Sequence, residues 1–438
     1  MTRIASSADN LYLWFLGEPI APVLVGELNL VMGRRAVSLR YAKSWIAHGF
    51  ALSEDLPLRD VEYFPKDKDT AVGAVDDARP DRWGERIICL LDRPARLSLL
   101  EFLYFAGDDR FGALGVSTSS EIYLPRKIGA LPRLADIESV HETVHRILAN
   151  EPIDERQKRL IAPGVTMGGA RPKALCQING EDWMVKFAES DRPVEPLVEH
   201  ATMTLAAKVG INSAETQPLQ LSNGIAIAIR RFDRVQGKRL HVISANVALK
   251  AAGSELSYPN LALILRRRAP AQTQRKQMHE LFRRLIFNIL IDNTDDHEKN
   301  HALIVDANQN YILAPAYDVL PTGYSLGYQA MTVGEHGAQS TVENALTAAA
   351  QYWLTHSEAM DQASQVAIAV NDWRSHFEAC GVDSATLDEL ALHIDRPFLV
   401  AQRAWLANPA LPVKAVDSEE SKESCYPNPD EIDSPAHP

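Results

Sequence analysis

The chain has 438 residues, 46% of them hydrophobic and 23% charged, with a formal net charge of −12. That length and balance give room for two or three globular domains with ample core, and the negative charge argues against sequence-independent DNA binding over the whole surface. The four cysteines, Cys89, Cys176, Cys380 and Cys425, form no C-x-x-C pair, so neither a zinc ribbon nor a disulfide framework is expected and reduced cytoplasmic thiols are the plain reading.

Residues 1–10 read as a loose end. From Leu11 to Tyr41 short apolar runs are separated by turns at Gly17-Glu18-Pro19 and Gly33-Arg34, which predicts a small antiparallel sheet. The first run, Leu11 to Leu16, is too short for a membrane span or a signal peptide, and no apolar run approaches the ~18 residues a span needs. No membrane contact is expected. Leu28, Leu30 and Met32 alternate, as do Val37, Leu39 and Tyr41, suiting one buried face. A helical stretch near 42–48 follows. Pro80-Asp81 can start a helix over 82–91, and Ser98 with Glu101 makes a capping box ahead of 99–106. Residues 112–116 read as a returning strand. No catalytic constellation appears in 1–125, which predicts a scaffold or partner-docking domain.

A proline-bounded linker over 125–132 and a helix over 136–148 open the next unit, 126–235. Gly164 to Lys173 (GVTMGGARPK) is a glycine-rich loop running into a strand. Such a loop lets backbone N–H groups approach a phosphate, with Lys173 adding charge; a bare turn fits the same residues. A hairpin turn at Asn179-Gly180 leads to the strand 183–187, which carries Lys186 among apolar neighbours. The helix 194–209, closed by Gly210, offers Glu195 and Glu199. A buried cation needs a partner, so a Lys186–Glu199 pair is expected; a lysine snorkelling from a strand edge is the alternative. Strands 216–221 and 225–231 complete a small sheet, with a hinge at Arg230-Arg231-Phe232-Asp233.

Residues 236–407 are mainly helical in pattern, with helices over 261–268 and 278–291. Arg266-Arg267-Arg268 and Arg275-Lys276 read as a solvated face. At their centre the apolar run 286–291 ends in a polar knot of Asn293, Thr294, Asp295, Asp296, His297, Lys299 and Asn300. Short strands at 302–305 and 311–313 follow, and another acid, Asp318, closes the unit. A phosphoryl-transfer site needs this layout. In protein kinases a loop Asp takes the substrate hydroxyl proton, an Asn five positions on holds Mg²⁺, and a later Asp holds more Mg²⁺. Two other readings stay open. His297-Glu298-Lys299-Asn300-His301 is a literal H-E-x-x-H, the pattern of a zinc metallohydrolase, although helix-ending residues precede it and a strand follows. A catalytically idle nucleotide- or antitoxin-binding module is the other. Residues 321–341 read as a loop beside the site. The acidic tail 408–438 is expected to be disordered.

These motifs together resemble the HipA-type serine/threonine kinases, toxins of a bacterial toxin–antitoxin class, across most of 11–405. The specific parts are GGARPK (168–173), RRFDR (230–234), NTDDHEKNH (293–301) and AYDVLP (316–321), with PDRWGER (80–86) and FGALGV (111–116) in the N-terminal part. The resemblance implies an α+β, bilobal kinase-like fold with an extra N-terminal α+β domain, using ATP and Mg²⁺. It implies Asp295 as catalytic base, Asn300 and Asp318 on the metal, and His297 and Lys299 lining the site. Thr166, Met167, Gly168, Gly169, Ala170, Arg171, Lys173 and Lys186 would hold the phosphates, with Arg231 and Phe232 at the adenine. Family substrates include aminoacyl-tRNA synthetases, phosphorylated to arrest growth. The usual partner is a HipB-like helix-turn-helix antitoxin, which supplies any contact with DNA. Members phosphorylate their own glycine-rich loop, typically on Ser; here the candidate is Thr166, and Arg230 stands where some relatives have an acid.

Overall fold

The N-terminal alternation folds as the hydrophobic pattern dictates. In the computed structural model, which describes residues 9–126, 129–161, 171–189 and 192–408, β1 (Asn10–Phe15), β2 (Val23–Val31), β3 (Ala36–Tyr41), β4 (Glu62–Tyr63) and β5 (Leu114–Ser117) form one antiparallel sheet in the order β4-β3-β2-β1-β5. Leu11 faces Leu28 and Leu28 faces Leu39 across the ladders, all buried. Helix α1 (Lys43–His48) follows β3. Helix α2 (Arg82–Leu91) starts at Asp81, whose carboxylate accepts from Gly84 N–H, and α3 (Leu99–Phe105) carries the expected Ser98/Glu101 capping box. A single 3₁₀ turn, Gly73–Ala78, lies between β4 and α2.

The small lobe comprises α4 (Ile137–Leu148), the one-turn α5 (Glu155–Lys158), β6 (Lys173–Ile178), β7 (Glu181–Phe187), α6 (Glu195–Lys208), β8 (Thr216–Leu221) and β9 (Gly224–Arg230), with strand order β6-β7-β9-β8. Positive φ at Asn179 and Gly180 makes the tight hairpin between β6 and β7, as that dipeptide prefers. Alternation divides this sheet between two cores. Ala174, Cys176, Val185 and Ala228 pack with Val140 and Val144 of α4 and with Trp83 and Ile87 of α2. Leu175, Met184, Ile227 and Ile229 join the main core with α6.

A short ribbon, β10 (Arg234–Val235) and β11 (Lys238–Arg239), leads to β12 (His241–Ser244), which pairs with β13 (Ala302–Val305) and β14 (Tyr311–Leu313) in the order β12-β13-β14. The rest of the large lobe is helical: α7 (Ala245–Ala251), α8 (Tyr258–Arg268), α9 (Gln274–Leu290), α10 (Val342–Thr347), α11 (His356–Asn371), α12 (Trp373–Ala379), α13 (Ser384–Ile394) and α14 (Pro397–Ala407). Its axis is α9, buried along most of its length and packed on α8, α10, α11 and α14. No helix among the described residues is long and apolar enough to cross a membrane.

Three sequence expectations change here. Arg267 and Arg268 do not form a purely solvated face: both pair with Glu54 of the N-terminal domain, at 2.5 and 2.6 Å, and Arg268 stacks over Tyr311. β12 and α7, which the sequence reading passed over, form the seam where the N-terminal domain meets the large lobe. There Gly112 N–H donates to Asp233 and His241 Nε2 bonds the Leu52 carbonyl, each at 2.8 Å. Of the loose end expected over 1–10, Asn10 instead opens β1 and the Asp9 carbonyl accepts from Leu30 N–H; residues 1–8 and the tail beyond 408 lie outside the described residues.

Candidate active site

Strand alternation turns Lys186 of β7 to the same face as Met184, toward α6. Its ammonium lies 2.7 Å from Glu199 Oε1, the pair expected from the sequence, and 2.6 Å from Asp318 Oδ1. Lys186 and Glu199 are 3% and 1% exposed, so these charges depend on one another. Burial works against the charge of Lys186, but Asp318 and Glu199 outweigh it and raise its pKa. Burial likewise opposes ionisation of Asp318, but Lys186 and Arg171 outweigh it and hold that carboxyl well below its usual range. At Glu199 burial wins over Lys186, with Asp318 adding to it, and the carboxyl is raised. One lysine thus serves two acids and favours the ionised form of Asp318. Asp318 has φ +58, a left-handed backbone often found where a functional side chain is aimed. Arg171 joins the cluster through Glu195 at 2.8 Å.

The polar knot after α9 sorts its two adjacent acids by role. Asp296 is buried and accepts from Tyr258 Oη, from Asn288 Nδ2 at 2.6 Å and from His301 Nε2 at 2.8 Å. Burial opposes its ionisation, but His301 and these hydrogen bonds outweigh it and lower its pKa. Asp296 therefore anchors the loop and leaves its neighbour Asp295 exposed. The backbone carbonyl of Asp295 accepts from Asn300 Nδ2 at 3.2 Å and His297 N–H at 2.9 Å, which closes the five-residue step into a compact loop. Asn300 is 4% exposed, and its Oδ1 is buried with no hydrogen-bond partner among the described residues. A buried amide oxygen left unpaired is costly, and it is a hard donor of the kind Mg²⁺ takes beside a carboxylate. Asn300 and Asp318 thus fit a magnesium ion in donor chemistry. Lys299 is exposed and His297 half-buried beside this loop, and the Lys299 carbonyl accepts from Tyr317 Oη at 2.7 Å.

The zinc-hydrolase reading of 297–301 is overturned by this geometry. Those residues form a turn, not a helix, and His301 Nε2 is committed to Asp296. Among the described residues no three His, Cys, Asp or Glu side chains could hold a metal ion.

Three expected ligand residues have side chains committed to protein partners. Lys173 is fully buried with its ammonium 2.7 Å from Asp81, braced to the N-terminal domain instead of facing phosphate, and its carbonyl accepts from Trp83 Nε1. The Arg231 guanidinium is taken by Asp233 at 2.8 Å and by the carbonyls of Asp109 and Arg110. The Phe232 ring stacks on Tyr317 at 5.7 Å and meets Phe111 edge-on at 5.8 Å, so both side chains hold the hinge together and do not offer an open adenine face. Arg230 pairs on the surface with Glu181 and Glu215. Thr166, Met167, Gly168, Gly169 and Ala170 lie outside the described residues. Residues the sequence reading did not single out include Tyr258 and Asn288, which fix Asp296, and Tyr324, whose hydroxyl accepts from Arg192 across the lobes at 2.8 Å. No local pattern marks them, because each partner is distant in sequence or on another element.

A family model described as the HipA N-terminal domain matches residues 20–117, and one described as the HipA-like C-terminal domain matches 165–374. Together they take in well over half of the chain. A candidate kinase of Sinorhizobium fredii, Y4dM, is 32% identical over 156 residues, covering 33% of this chain and 38% of that protein. A candidate kinase of Haemophilus influenzae is 27% identical over 180 residues, covering 35% of this chain and 52% of that protein. The chain therefore spans about half or less of the length of these curated relatives. In fold it is similar to HipA of Shewanella oneidensis MR-1, solved in a complex with HipB and operator DNA, at a TM-score of 0.63 and 18% identity, covering 90% of this chain and 96% of that one.

Proposed function

Because the chain belongs to the HipA family, we propose that it is a protein kinase that transfers the γ-phosphate of ATP to a serine or threonine hydroxyl of another protein. The observation that carries this reading is the convergence of Lys186, Glu199 and Asp318 beside a loop that leaves Asp295 exposed and Asn300 Oδ1 unpaired. In phosphoryl transfer the protein mainly places charge around the moving group. Lys186, held protonated and fixed by Glu199, meets phosphate oxygens. Asp318, kept ionised, and Asn300 hold the magnesium, which when bound offsets charge on the phosphates. Asp295, unencumbered at the surface, accepts the proton of the incoming hydroxyl. Lys299 and His297 flank the approach.

The same reading takes a HipB-like helix-turn-helix antitoxin as partner, with DNA reached through it, the cytoplasm as the place of action, and growth arrest through a target such as an aminoacyl-tRNA synthetase. Self-phosphorylation at Thr166 belongs to the same proposal. The test is incubation of the full-length protein with γ-labelled ATP, with and without Mg²⁺, in the presence of lysate proteins. Label is expected on protein only with Mg²⁺, and Asp295→Asn should cut transfer by about 10²–10⁴-fold while leaving the fold intact. Equal transfer by wild type and Asp295→Asn sinks the assignment of the base. ATP binding without any transfer favours the idle module.

A further inference from the structure

The loop bearing Asp295 and Asn300 is held from behind by the N-terminal domain. Asp77, on the 3₁₀ turn Gly73–Ala78, accepts from Ser244 N–H at 2.6 Å and from Ser244 Oγ at 2.7 Å. Ser244 ends β12 and caps α7, its Oγ accepting from Val247 N–H at 3.2 Å. The first two N–H groups of α7, those of Ala245 and Asn246, donate to the carbonyls of His301 and Glu298 at 2.8 and 3.2 Å. Those two carbonyls bracket Lys299 and Asn300. With Tyr317 Oη on the Lys299 carbonyl, the backbone of this segment is pinned at three residues, two of them through a helix end that a carboxylate from another domain holds. The Lys299 ammonium also lies near enough to favour charge on Asp77, though burial outweighs it and lifts that carboxyl to about 6.

We infer that Asp77 is a positioning residue for phosphoryl transfer, setting the register of the Asp295–Asn300 loop through Ser244 and the start of α7. This rests on the kinase reading above. A carboxylate is suited to the task because it accepts both Ser244 hydrogens at once, and charge-assisted bonds of this kind are about twice as strong as neutral ones. Asn offers one acceptor and one donor, so Asp77→Asn keeps the volume while orphaning one Ser244 hydrogen. The loop then keeps its residues and loses its register, and such a loss weighs on the transition state more than on nucleotide binding.

The experiment uses the full-length protein with ATP·Mg²⁺ and dephosphorylated casein as a generic acceptor, reading ADP release and transferred phosphate, with a fluorescent ATP analogue for affinity. Asp77→Asn is expected to lower kcat about tenfold, the equivalent of one such bond acting in the transition state, with affinity for the analogue changed less than twofold. Ser244→Ala should reproduce the effect, Ser244→Thr should restore it through its retained hydroxyl, and the Asp77→Asn/Ser244→Ala pair should be no worse than either alone. If Asp77→Asn fails to fold, the Ser244 pair carries the test. An unchanged kcat, additive losses, or equal losses of kcat, affinity and thermal stability would each overturn the inference and leave the kinase reading standing. A wild-type protein that neither hydrolyses ATP nor transfers phosphate would bring down both.

Discussion

Lys173 and Lys186 sit directly opposite each other on β6 and β7, and so on one face of the sheet. Each is almost wholly buried and each has a carboxylate at 2.7 Å. Their electrostatics nevertheless run in opposite directions. Burial outweighs Asp81 and lowers the pKa of Lys173, and the same burial outweighs Lys173 and raises Asp81. At Lys186 two acids share one ammonium, and together they outweigh burial. The first pair is a brace between two domains, with Asp81 also serving as the cap of α2. The second is a charge cluster in which Lys186 meets both Glu199 and Asp318. What separates the two lysines is that the acids around Lys186 together outweigh its burial while Asp81 does not outweigh that of Lys173, not the residue type or its depth.

The sharpest way to break that contrast is Lys173→Met. It strands Asp81 in a dry setting and is expected to cost about 3–5 kcal/mol of stability, read by thermal or urea unfolding, while turnover per folded molecule stays within about twofold. A folded but dead Lys173→Met protein would make Lys173 part of the site after all. Lys186→Ala also strands a buried acid, Glu199, but its signature should lie in turnover, with transfer per folded molecule reduced by about 10²–10³-fold, or about 2.7–4 kcal/mol of barrier.

A pH scan sharpens the contrast further, because one seam contact, His241, depends on a neutral ring where the cleft depends on charges. Burial lowers the pKa of His241 from 6.5 to about 4. The unfolded chain therefore binds more protons between those values, and stability falls as pH drops through that window. The loss should be about 2 kcal/mol between pH 7 and pH 5. Asp318, with its folded pKa depressed, keeps its contribution above its ordinary value of 3.8 and loses it only in stronger acid. Asp77, lifted to about 6, and other histidines lowered by burial, His141 and His200, titrate in the same window, so the His241 share is read as the difference between wild type and His241→Gln. His241→Gln should flatten the slope, as seen in urea midpoints at the two pH values. The smallest effect belongs to Asp81→Asn/Lys173→Met. With both charges gone, stability should return to within about 1.5 kcal/mol of wild type; a double variant as unstable as Lys173→Met would show that Asp81 was not its partner.

Much of this was legible in the chain itself. The Lys186–Glu199 pair followed from a lysine in an apolar strand and an acid on the next helix, because both belong to one local unit. The capping box of α3 and the Asn179-Gly180 hairpin followed from short-range chemistry for the same reason. Lys173 was misplaced because Asp81 lies 92 positions away and nothing near Lys173 announces it. The family resemblance puts Arg231 at the adenine, and no local pattern shows that its guanidinium is taken by Asp233 and the carbonyls of Asp109 and Arg110. The five-residue step to Asn300 picks Asp295 out of the pair, but nothing in the row of letters gathers Tyr258, Asn288 and His301 around Asp296, which is what buries one acid and leaves the other exposed.

The seam between the N-terminal domain and the hinge has a further consequence for how such a protein is made. Leu52, Asp77 and Gly112 leave the ribosome well before Asp233, His241 and Ser244, the groups they grip, and Asp318 emerges later still. A nascent chain therefore presents the N-terminal side of each contact before the group it grips, and the Lys186–Asp318 cluster is complete only when most of the message has been read.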